Sequence, residues 1–139
     1  MKSITPYLLK FAAAAIILTT IFRFCLSYTI EHGLVAMIII SAALYGGLMA
    51  LAGWHFGKQD GEYLPIFDVG FRFHLTTFLI HVGISELWFA AGFQSRFEKV
   101  QVIHITALIW LVFLLIHFFF YLYARKKSIN GLNRNDLFE

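Results

Sequence analysis

Apolar residues in this chain fall into four long runs separated by short polar breaks, over residues 8–28, 34–54, 71–93 and 100–123. Each run is near the roughly 20 residues a helix needs to cross a bilayer core. The pattern predicts an all-α membrane protein, a four-transmembrane-helix bundle in one domain covering residues 1–139. What remains is a short N-terminus, three connections and a polar tail over 124–139, too little to build an appended soluble domain.

The third run breaks the apolar pattern most, with His74, His81 and Glu86 inside it. At about 100° per residue these do not share a face. His74, Thr77, His81, Ser85 and Gly92 line one stripe, and Arg72, Thr76, Gly83, Glu86 and Ala90 line the opposite one. Polar groups are costly against lipid, so this helix is expected between neighbours. The first run carries Ala12, Ala15, Thr19, Arg23 and Ser27 on one side, a stripe suited to close helix packing. In the second, Ala42, Gly46, Ala50, Gly53 and Gly57 form a small-residue seam. The seam predicts packing within the chain first and a homodimer contact second.

Composition agrees with a membrane class. The chain is 60 % hydrophobic and only 14 % charged, with a net charge of +3. Lys2, Lys10, Lys58, Arg72, Arg125, Lys126, Lys127 and Arg134 fall on one side of the predicted topology, against Arg96 and Lys99 on the other. That asymmetry places both termini in the cytoplasm and predicts a cell membrane, of the bacterial inner-membrane kind. Basic residues beside anionic headgroups account for the charge, so no nucleic-acid partner is implied. The first run is read as uncleaved, because no A-x-A-like site follows and Arg23 interrupts it. The one cysteine, Cys25, excludes an internal disulfide.

Helix rise puts Arg23 and Glu86 within roughly 3 Å of each other in depth, with His104 slightly outward of both. A lone charge at that depth is costly, so Arg23, Glu86 and His104 are predicted to form one buried polar cluster. In the connection after the second run, Asp68 and Arg72 are spaced to pair across one helical turn. Lys58–Asp60 with Gly61 reads as a turn, and Pro65 is expected to open a helix.

Enzyme signatures are absent: the sequence has no HExxH, no GxSxG, no Walker loop and no CxxCH. No enzyme, metal site or cofactor is expected. The one haem geometry the spacing allows lies between His74 and His117. Small multidrug transporters are also short four-span proteins, but they keep their acidic residue in the first helix, whereas Glu86 lies in the third run. No family's motifs match residue by residue. The expected function is therefore that of a non-enzymatic accessory, assembly or protective partner of another membrane protein. A rival is a small transporter or channel using Glu86 and the intramembrane histidines, and a third reading is a haem- or quinone-binding redox subunit.

Overall fold

The computed structural model describes residues 4–62 and 64–130. All regular structure among them is helical: α1 (Pro6–Glu31), α2 (Val35–Asp60), α3 (Ile66–Ala90) and α4 (Val100–Asn130). Three of the four, α1, α2 and α4, are long and apolar enough to cross a membrane. The 25 residues of α3 would also reach across at about 1.5 Å per residue. Arg72, His74, His81 and Glu86 dilute its apolar content.

Local chemistry sets the helix ends. Thr5 caps α1, accepting a hydrogen bond from the Leu8 backbone amide, and Pro6 fills the first helical position, where no donor is needed. Gly33 and Gly92 take the left-handed backbone (φ 65° and 75°) that ends α1 and α3. Each is followed by a backbone amide reaching back five residues, Leu34 to Thr29 and Phe93 to Trp88.

Two helices outrun the apolar signal. The predicted second span stops at residue 54, but α2 continues to Asp60, so the turn expected at Lys58–Asp60 is helical. The connection shrinks to residues 61–65, and α3 starts directly after Pro65. Likewise α4 continues to Asn130, taking Arg125, Lys126 and Lys127 from the expected loose tail into helix. Lys, Arg and Gln are good helix formers, so the helix need not stop where the apolar run does. Lys2, Arg134 and the tail beyond residue 130 lie outside the described residues.

α1 packs against α2 and α3, and α3 packs against all three other helices, as its two polar faces predict. α4 rests on α3 alone, and α2 and α4 do not pack against each other. The buried positions on α1 recur every four residues, at Phe11, Ala15, Thr19, Arg23 and Ser27, with Ala12 half-buried beside them. At that spacing the stripe drifts about 40° per step, so α1 presents itself in turn to different neighbours. An apolar core of Phe11, Ala15, Met49, Val69 and Phe73 fills one end of the bundle, with the Phe11 and Phe73 rings 4.6 Å apart. Most other large apolar side chains point outward, where lipid is as apolar as they are.

Candidate functional site

Above the apolar core, the α1 stripe turns polar, and each rung finds a partner on another element. The Thr19 and Tyr45 hydroxyls share a hydrogen bond of 3.1 Å, and the Tyr45 hydroxyl lies 3.0 Å from His81 Nδ1. One relay thus joins α1, α2 and α3. One turn further, Arg23 Nη2 donates to Glu98 Oε2 at 2.6 Å. Next, Ser27 Oγ accepts from Trp88 Nε1 at 2.9 Å. Finally, Glu31 accepts from the Ser95 hydroxyl and from Arg96 Nε, both at 2.6 Å. Arg23, Ser27 and Glu31 therefore hold α3 and the α3–α4 loop against α1.

The expected Arg23–Glu86 pair is not formed. Arg23 takes Glu98, with both side chains about 5 % exposed (5 % and 6 %). The α3–α4 loop folds back over the end of α1, and Ser95 N–H steadies the other oxygen of Glu98 at 3.2 Å. This brings a loop carboxylate to the buried arginine. Glu86 instead meets His104 at 2.9 Å on the flank between α3 and α4, where both side chains are about half exposed (43 % and 56 %). Of the predicted cluster, Glu86 and His104 come together, and Arg23 stands apart with another acid.

The stripe of His74, His81 and Ser85 is divided as well. His81 and Ser85 line a cavity of about 280 Å³ where all four helices converge. Arg23, Tyr45 and Trp110 also line it, Trp110 standing 5.4 Å from the His81 ring. His74 turns to α4, where its ring lies 4.9 Å from that of His117, tilted by 49°. His117 also lies against Gly70, where a Cβ would make ordinary contact with Nε2 at 3.6 Å. The two rings are in direct contact across α3 and α4. Among the described residues, no three His, Cys, Asp or Glu side chains converge in a way that could hold a metal ion.

The α2 seam splits in two. At Gly57 a Cβ would meet Val69 at 3.7 Å and Phe73 at 4.0 Å, and at Gly53 it would meet Phe11 at 3.9 Å. Those two residues pack within the chain as expected. Gly46 has nothing within 4 Å of such a Cβ, and with Ala50 it lines an open groove of about 500 Å³ that Gly53 and Gly57 also border, with α3 beneath it and Trp110 of α4 at its far side. Ala42 is exposed. Asp68 and Arg72 pair at 2.8 Å, as their spacing predicts.

Sequence reasoning passed over Tyr45, Glu98 and Trp110. Tyr45 is the sole tyrosine of α2 and lies one residue before Gly46, so a buried hydroxyl needing partners was a readable signal. Glu98 gave none, because its burial depends on how the loop folds back. No protein-family model matches the chain, and no curated protein or solved structure shows significant similarity to it.

Proposed function

We propose that this chain is a multi-pass protein of a cell membrane, of the bacterial inner-membrane kind, that acts by binding another membrane protein and catalyses nothing itself. All four helices cross the bilayer in this reading, with both termini cytoplasmic. The observation that carries it is the groove between α2 and α4. Four helices ordinarily close on one another, yet here α2 and α4 stay apart, and Gly46 and Ala50 face the space between them. Helix association in lipid gains its energy from close van der Waals packing against small residues. A groove with glycine and alanine along its α2 side fits a transmembrane helix of a partner. Polar contacts from Thr19 to Glu31 tie α1 to α2, α3 and the α3–α4 loop.

The test is the size of the native complex after extraction in a mild detergent. Wild-type chain should migrate in a complex larger than itself, Gly46→Leu should release it, and Leu48→Phe, an enlargement away from the seam, should not. A wild-type chain that runs alone would refute the proposal. A complex whose mass is twice that of the chain would mean that the groove serves a homodimer.

A further inference from the structure

Two polar atoms at the convergence of the helices have no hydrogen-bond partner among the described residues. Ser85, only 1 % exposed, and Arg23, 4 % exposed, each leave an atom unsatisfied, Ser85 Oγ and Arg23 Nε. Both residues line the same cavity of about 280 Å³, one from α1 and one from α3. Buried polar groups almost always have partners, so two orphans on one cavity mark a place where something else is held.

The donor chemistry narrows what that is. Arg23 Nε–H can only donate, and the Ser85 hydroxyl has a proton to give. The charge of Arg23 is already balanced by Glu98 at 2.6 Å. An anion in the cavity would bring a second negative charge into a low-dielectric region beside an ion pair that is already neutral. A cation would meet the arginine. A neutral acceptor satisfies both donors without charge, and a carbonyl oxygen has two lone pairs to offer. The rest of the lining is mostly apolar or aromatic, with Val102, Ile103 and Trp110 from α4 and Phe22 stacked on Tyr45 at 4.4 Å, while His81 and Thr106 add polar atoms. The volume lies near the lower end of small-molecule sites, at roughly 300 Å³. α2 and α4 both line the cavity but do not pack together, which leaves a gap between them on that side.

We propose that this cavity binds a neutral, lipid-soluble molecule through a carbonyl oxygen, held by Arg23 and Ser85 against the aromatic face of Trp110. Such carbonyls occur on quinone rings and on the esters of neutral lipids, and the two sources are separable by experiment. Tyr45 and Trp110 line both this cavity and the groove proposed above, whereas Arg23 and Ser85 belong to the cavity and not to the groove.

Purified full-length chain in detergent would be titrated calorimetrically with a short-chain benzoquinone, with dihexanoyl glycerol and with decanoate. Saturable binding of the benzoquinone alone assigns a ring carbonyl, and binding of both neutral compounds assigns the carbonyl whatever its carrier. Ser85→Ala is the diagnostic variant. Its hydroxyl has no partner among the described residues, so the variant should melt no lower than wild type while binding about fivefold more weakly, the loss of one net hydrogen bond. Decanoate binding more tightly than either neutral compound would overturn the proposal. So would the absence of saturable binding, or equal affinity in Ser85→Ala.

Discussion

Arg23 on α1 and Glu98 in the α3–α4 loop, distant in sequence, meet at 2.6 Å with both side chains nearly sealed from solvent. This pair joins the middle of α1 to a loop that also grips Glu31 through Ser95 and Arg96. Breaking a buried pair from one side strands a charge, which typically costs about 3–5 kcal/mol. Arg23→Ala and Glu98→Gln should each lower the melting temperature strongly, and Arg23→Met with Glu98→Met should recover much of the loss. Glu86→Gln should lower the melting temperature less than either, since its pair with His104 is half exposed rather than sealed inside the bundle. Additive losses for Arg23 and Glu98 in the cycle would mean that they do not interact.

Position along the α2 seam should decide how enlargement is felt. A side chain at Gly57 meets Val69 and Phe73, so Gly57→Leu should cost about 1–3 kcal/mol of stability through overpacking. Gly46→Leu enters open space and should leave the isolated chain's melting temperature close to wild type. Reversal of that order in one detergent would show that the seam packs the other way round.

At the opposite end, Thr5 has two tasks. Its hydroxyl oxygen caps α1 at the Leu8 amide, and its proton goes to Asp60 Oδ2 at 2.9 Å. Asp60 is fully buried, and its other oxygen, Oδ1, has no partner among the described residues. Thr5→Ala should therefore destabilise by about 1–2 kcal/mol, and Thr5→Ser should restore most of it. Equal stability of Thr5→Ala and wild type would show that the link between α1 and α2 at this end is idle.

Membrane orientation follows from basic residues. Reporter fusions at Gln59 and Ile129 should register cytoplasm, and fusions at Glu31 and Gln94 the exterior. A fusion at Gln59 reporting the exterior would invert the proposed topology.

What the sequence made legible was governed by periodicity and length. Four long apolar runs announced four helices, and small or polar residues every four positions announced the buried face of α1. The ends of α2 and α4 were not legible, since a helix can leave the apolar zone on Lys, Gln and Arg without breaking. The partner of Arg23 was hidden for a different reason. Matching residues by depth assumes that each helix supplies its own counter-charge, whereas Glu98 comes from a loop that folds inward. Similarly, small residues at Gly46 and Ala50 signal a packing surface, but periodicity alone does not say whose helix fills it.

The most direct test of the groove is site-specific photo-crosslinking in intact membranes, with the reactive side chain placed at Gly46 and, in a second strain, at Leu48. A helix seated between α2 and α4 should give one discrete heterologous adduct from position 46 and none from position 48. No adduct from position 46, or the same adduct from both positions, would contradict the claim that this face binds a partner.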